Sequence, residues 1–206
     1  AIYDTTGQIC MNAKRVYVHR SRLDEVVNGL SDRLSKAVIG YGLDEGTTMG
    51  PLHSSAQKAF VEELIQEAKD AGADVREFGE LPGGELAGGN FMRPAIVVDP
   101  DPNLRVVTME QFGPVIPIIP FDTEEEAIAL ANSLPYGLAS AIWTENVSRA
   151  HRVAGQVEAG IVWVNSWFLR DLRTPFGGSK QSGIGREGGV HSLEFYTEMK
   201  NVCIKL

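Results

Sequence analysis

Apolar and polar positions along this chain follow two periods. Residues 15–20 alternate, with Val16 and Val18 on one face, which predicts a strand. The period then lengthens to 3.6. Over residues 21–39, Leu23, Val26, Val27, Leu30, Leu34 and Val38 trace the stripe of a helix. Ser21 and Asp24 stand near capping-box spacing at its start, and Gly40 is placed to end it. A second helix is expected from Ser54-Ser55-Ala56-Gln57, with Phe60, Val61, Leu64, Ile65 and Ala68 as its apolar stripe and Gly72 as its stop. Residues 74–78 predict a short strand and residues 81–90 a glycine-rich turn. Residues 95–98 and 115–121 predict two further strands. Pro117 and Pro120 argue for an edge or irregular position for the second of these.

Thr123-Glu124-Glu125-Glu126 opens a third helix with a capping box and an acidic first turn, both favourable at the positive helix end. Residues 138–143 and 160–165 read as buried-type strands with a helix over 147–157 between them. This βαβ rhythm predicts an α/β fold: a mostly parallel sheet flanked by helices. The last residues alternate again, with Val202, Ile204 and Leu206 on one face and Asn201, Cys203 and Lys205 on the other. Such a half-apolar terminal strand needs a partner, so a homo-oligomer assembled through it is expected.

Composition narrows the partners. The chain has 206 residues, 43% hydrophobic and 22% charged, with a formal net charge of −8 and no Lys/Arg cluster. Nucleic acid is an unfavourable partner for such a surface. No apolar run is long enough to span a membrane, and no signal peptide is visible. Two cysteines near opposite ends fit a reduced, cytoplasmic setting.

Several kinds of chemistry can be set aside. Gly183-Ile184-Gly185-Arg186-Glu187-Gly188 matches G-x-G-x-x-G, but a polar glycine loop precedes it and too little chain follows for a dinucleotide-binding unit. The four histidines are dispersed, without metal-ligand spacing, and no serine sits in a G-x-S-x-G elbow. Cys10, after Gly7-Gln8-Ile9 on a loop expected to lead into a helix, reads either as a small buried hydrophobe or as a nucleophile. Three further segments carry candidate residues. Glu110-Gln111-Phe112-Gly113-Pro114 joins an acid, an aromatic and a turn ahead of a strand. Asn165-Ser166-Trp167 ends a strand, where α/β sites lie, and Pro175-Phe176-Gly177-Gly178 follows.

These four segments, in this order and spacing, resemble the aldehyde dehydrogenase superfamily over essentially the whole chain. Gly7 to Cys10 looks like its nucleophile motif, Glu110 to Pro114 like its cofactor-ribose motif, and Pro175 to Glu187 like its late glycine-rich signature. The resemblance implies that the Cys10 thiolate attacks an aldehyde carbonyl to form a thiohemiacetal, that hydride passes to NAD (or NADP), and that water hydrolyses the resulting thioester. It implies an oxyanion contact from the Cys10 N–H, ribose hydrogen bonds to Glu110 and a ring contact from Phe112. Asn165 and Trp167 belong to the implied substrate site.

Residues 167–173 lie where the family lines its substrate tunnel, and here they include Arg170 and Arg173. An arginine is a bidentate clamp for a carboxylate. The segment through Leu206 looks most like the 2-hydroxymuconic semialdehyde dehydrogenases, which makes Arg170, and secondarily Arg173, candidates to hold a substrate carboxylate. The opposing reading is a local pair with Asp171, which suits Arg173 better. The family's Rossmann cofactor domain, general-base glutamate and oxyanion asparagine precede its cysteine, so none is expected in nine upstream residues. On this reading residues 1–187 form the nucleophile-bearing domain and residues 188–206 the assembly segment, and the chain alone is expected to be inactive. A non-catalytic assembly module and a cysteine-dependent esterase are the competing readings.

Overall fold

The computed structural model describes residues 2–206. They form two compact units, one ending at Ala127 and the other running from Ile128 to Leu206.

The first unit opens its sheet with β1 (Val16–His19), followed by α1 (Leu23–Leu34). The predicted helix to residue 39 ends early. The Val38 N–H donates to the Thr48 hydroxyl at 2.9 Å, its carbonyl accepts from Thr48 and Met49, and Ile39 bridges Met49 in parallel. This extended pairing displaces another helical turn. It leaves Val38 52% exposed and buries Ile39 with Met49 and Phe91 instead. Ser21 is no capping-box residue either: it lies in a 3-10 turn, and its hydroxyl pairs with His19 Nδ1 at 2.8 Å.

Next comes α2 (Ser55–Asp70), where the Ser54 hydroxyl accepts the Gln57 N–H at 3.2 Å as an N-cap. The predicted stripe is real: Val61, Leu64, Ile65 and Ala68 are buried. Then β2 (Asp74–Glu77), β3 (Ala95–Val98), the short α3 (Arg105–Thr108) and β4 (Val115–Phe121) complete a sheet of order β1-β4-β3-β2. The first two pairings are parallel, and β2 joins β3 antiparallel. Val18, Ile96, Ile116 and Ile118 pack with Val27 and Leu34 of α1 in one cluster.

β4 is central, not an edge, despite its prolines. Ala95 N–H reaches the Pro114 carbonyl and Asp99 N–H the Ile118 carbonyl, so the even-numbered residues of β4 face β3. The N–H missing at Pro120 therefore faces β3 only beyond Val98, the last paired residue. The N–H missing at Pro117 faces β1 ahead of Val16, at the Lys14 carbonyl, and that carbonyl accepts from Gln111 Nε2 at 3.2 Å instead. Both prolines thus fall where the ladder needs no donor.

α4 (Glu124–Asn132) carries the chain onward, with the Thr123 hydroxyl accepting the Glu126 N–H at 3.2 Å. The second unit contains β5 (Tyr136–Gly137), β6 (Ala139–Ile142), α5 (Val147–Ala154), β7 (Ile161–Val164), β8 (Ser179–Lys180) and α6 (Gly189–Tyr196). β6 and β7 pair in parallel across α5, a βαβ unit, and β5 pairs with β8 antiparallel. Their residues are mostly half-buried, with Trp163 the buried side chain of β7. The alternating C-terminal residues form no strand in the single chain: 197–206 are exposed and unpaired by backbone.

Candidate active site

Cys10 is exposed on a turn closed by the Asn12 N–H on the Ile9 carbonyl at 3.0 Å. Strand β1, not a helix, follows it, which corrects the expected helix. Among the described residues nothing accepts from the Cys10 N–H. The approach to this turn is strained, because Thr5 and Thr6 have φ of 51° and 57°, a left-handed conformation that β-branched side chains avoid. Hydrogen bonds hold them there. Thr6 Oγ1 donates to the Gly50 carbonyl at 2.9 Å, and Gln8 Nε2 donates to the Thr5 carbonyl at 3.0 Å. Gln8 Oε1 accepts the His53 N–H at 3.0 Å, and Asn12 Nδ2 donates to the Asp4 carbonyl at 2.8 Å. Strain fixed in this way is characteristic of functional sites.

The loop bearing Glu110 is built against this turn. Gly7, at φ 76°, approaches Gly113 so closely that a Cβ would stand 2.2 Å from the Gly113 carbonyl oxygen. Gly113 in turn leaves no room for a Cβ beside Val61 of α2. Gln111 is fully buried: its Nε2 donates to the carbonyls of Lys14 and Val106, while Gln57 Nε2 holds the Gln111 and Phe112 carbonyls at 2.8 and 3.2 Å. Phe112 sits at φ 47°. Glu110 is left exposed, its carboxylate accepting no hydrogen bond from the described residues.

A residue missed in the sequence joins the two loops. Lys14 Nζ donates to the Gly7 carbonyl at 2.5 Å and lies 4.9 Å from the centroid of the Phe112 ring. Burial lowers its pKa to about 8, against the opposing pull of Glu110 and Cys10 and with a small push from Arg15. Arg15 Nη2 meanwhile donates to the Met109 carbonyl at 3.2 Å. No local pattern marks Lys14, since its partners in the Glu110 loop lie almost a hundred positions away.

The second unit holds the remaining candidates. Asn165, at φ 52°, accepts the Thr144 N–H at 2.9 Å and donates to the Thr144 carbonyl at 2.8 Å. Its amide thereby ties the end of β7 to the end of β6. Trp167 packs on Phe168 with ring centroids 5.1 Å apart. The two arginines differ. Arg173 grips Asp171 through Nε at 2.9 Å and Nη2 at 2.5 Å, so its fork is occupied. That same pair lowers the Asp171 pKa and raises that of Arg173. Arg170 lies with its guanidinium carbon 4.3 Å from the centroid of Phe176, and no carboxylate among the described residues pairs with it. Phe176 and Glu187 exchange backbone hydrogen bonds at 2.7 and 2.8 Å, and Arg186 Nη1 holds the Gly178 and Gly185 carbonyls. The glycine-rich signature is thus a self-tied loop. Among the described residues no group of three or more His, Cys, Asp or Glu side chains is placed to hold a metal, and no helix is long and apolar enough to cross a membrane.

The aldehyde dehydrogenase family profile matches residues 1–202. The chain is 57% identical, over its full length, to the 2-hydroxymuconic semialdehyde dehydrogenase of Pseudomonas sp. strain CF600, covering 43% of that protein. It is 59% identical over 97% of its length to the Pseudomonas putida enzyme of the same name, covering 42% of it. An NAD+ complex of aldehyde dehydrogenase from Bacillus cereus superposes with a TM-score of 0.87 at 41% identity, over 94% of this chain and 39% of that one. The chain therefore spans less than half the length of these relatives.

Proposed function

Because the chain belongs to the aldehyde dehydrogenase family, we propose that it supplies the nucleophile and the ribose-binding acid of an NAD-dependent oxidation of a carboxylated semialdehyde to the acid. The observation that carries this reading is the exposed Cys10 on a turn packed directly against the loop of Glu110. The names of the two Pseudomonas relatives support 2-hydroxymuconic semialdehyde as substrate.

The residues present fit the ribose end of the cofactor: Glu110 offers an unengaged acceptor on a loop whose backbone is rigidly held. Glu110 would take the ribose hydroxyls and Phe112 would meet the ring beside them. When bound, NAD supplies the hydride acceptor that turns the thiohemiacetal into a thioester. The chain's own work is at sulfur and oxygen. The Cys10 thiolate forms the C–S bond to the aldehyde carbon, and the carbonyl electron pair becomes an oxyanion facing the unengaged Cys10 N–H. After oxidation, water adds to the thioester carbon, the C–S bond breaks, and the acid leaves with the thiolate restored.

Arg170 recognises the substrate carboxylate, because its fork is unpaired whereas that of Arg173 is taken by Asp171. Asn165 acts by positioning β7, its amide being committed to Thr144. The exposed Val202, Ile204 and Leu206 form the homo-oligomer contact, and two free thiols suit a cytoplasmic setting.

The test uses Cys10→Ser in the full-length protein carrying this sequence, with 2-hydroxymuconic semialdehyde and NAD. NADH formation should fall by about three orders of magnitude or more. Retained NADH formation removes Cys10 from the chemistry. Cys10 and Cys203 are both exposed, so selective iodoacetamide labelling of Cys10 reports activation, not access. Equal, slow labelling of the two favours a non-catalytic module. Ester hydrolysis without any NAD-dependent oxidation favours an esterase.

A further inference from the structure

Lys14 has no part in the chemistry just derived, yet it stands where the two loops of the site meet. Its main chain is pinned by Gln111 Nε2 on its carbonyl, and the next residue, Arg15, grips the Met109 carbonyl ahead of Glu110. Its side chain then turns back to the Gly7 carbonyl and covers the Phe112 ring. An ammonium so held touches the nucleophile motif at one point and the ribose motif at another.

We propose that Lys14 is a positioning residue: its charged amine, seated on the Gly7 carbonyl and over Phe112, locks the Cys10 turn to the Glu110 loop, so that thiol reactivity and cofactor affinity depend on it together. The inference rests on the roles proposed above for Cys10 and Glu110. Three observations support it. Gly7 and Gly113 are in backbone contact, so a shift of either loop moves the other. The cation lies over an aromatic face, an attraction that requires the charge. The charged or titratable groups acting on it are Glu110, Cys10 and Arg15, two acids against one base. Because burial brings Lys14 to a pKa of about 8, the lock weakens as pH rises through that value.

The experiment compares Lys14→Met, Lys14→Gln and Lys14→Arg in the full-length protein, reading the iodoacetamide alkylation rate of Cys10 and the KM for NAD against kcat. Lys14→Met releases the Gly7 carbonyl and so loosens the Cys10 turn, and should slow alkylation several-fold at neutral pH. It should also raise the KM for NAD about threefold, with kcat changed less. Lys14→Gln keeps a donor for Gly7 without the charge and should show the slow alkylation as well. Lys14→Arg, charged at every accessible pH, should restore both and hold the KM for NAD steady above pH 8, where that of the parent rises. Alkylation and KM within twofold of the parent in both uncharged variants would overturn the proposal. If Lys14→Met fails to fold, equal behaviour of Lys14→Gln and Lys14→Arg overturns it alone. Cys10→Ser separates the two levels: an inactive serine variant beside an unaffected Lys14→Met removes only the role of Lys14, whereas an active serine variant removes the nucleophile reading beneath it.

Discussion

The alpha carbon of Gly7 faces the carbonyl of Gly113 with space for hydrogen only, since a methyl carbon there would lie 2.2 Å from the oxygen. Neither partner can yield, because Gly113 is itself pressed on Val61 and Gly7 requires a left-handed φ of 76°. Gly7→Ala should therefore push the Cys10 turn off the Glu110 loop. Stability should drop by about 2 kcal/mol or more, with NADH formation falling at least tenfold beyond what unfolding explains. Denaturant melts and kinetics on the full-length protein check it, and an alanine variant of unchanged stability would show that the two loops are not in contact.

Tyr3, half-buried against the α1 cluster, donates its hydroxyl to the Ala95 carbonyl at 2.6 Å, and loss of solvent around the phenol raises its pKa above the ordinary value of 10.0. A raised phenol stabilises the fold below pH about 10 and loses that contribution as pH climbs from there toward its native value. Tyr3→Phe should cost about 1–2 kcal/mol at neutral pH and make the alkaline loss of stability shallower. Tyr17, also raised by burial, keeps part of that loss in place. Urea midpoints at pH 7 and pH 10.5 decide the matter, and parallel curves for the two proteins would refute it.

Arg170 and Arg173 are three positions apart but should behave differently as alanine variants. Arg170→Ala should lower kcat/KM for a carboxylated semialdehyde by about 10- to 100-fold while leaving an uncharged aldehyde nearly unaffected. Arg173→Ala removes an exposed local pair with Asp171 and should change either substrate by no more than about twofold. Equal losses on both substrates in Arg170→Ala would dismiss a carboxylate clamp.

Asn165→Ala frees both backbone groups of Thr144 at once. The expected cost is about 1–2 kcal/mol of stability, with equal loss of kcat/KM for charged and uncharged aldehydes. A loss specific to one aldehyde class would instead make Asn165 a substrate contact.

What was legible in the chain was mostly local. The stripe of α2 and its start at Ser54 lie within a few residues of one another, and both are present as expected. The end of α1 was not legible, because Val38 continued the helical stripe while its backbone partners, Thr48 and Met49, lie in a later loop. The prolines of β4 argued against a central strand, since the register that accommodates them depends on neighbouring strands. Arg170 and Arg173 differ through Asp171, a neighbour visible in the sequence, but the stacking of Arg170 on Phe176 needed the fold. Lys14 was the largest omission: its hydrogen bond from Gln111 spans 97 positions.

Those prolines also act on alternatives to the native fold. A parallel strand packed with Val, Ile and Pro on both faces has little side-chain patterning to distinguish one alignment from the next. Sliding β4 by two residues in either direction preserves which side chains face which layer, but it moves a residue without a donor opposite a β1 or β3 carbonyl that needs one. Pro117 and Pro120 thereby serve as stops at the two ends of the ladder. They set the register at which β4 follows Gly113, and with it where Gly113 meets Gly7 ahead of Cys10.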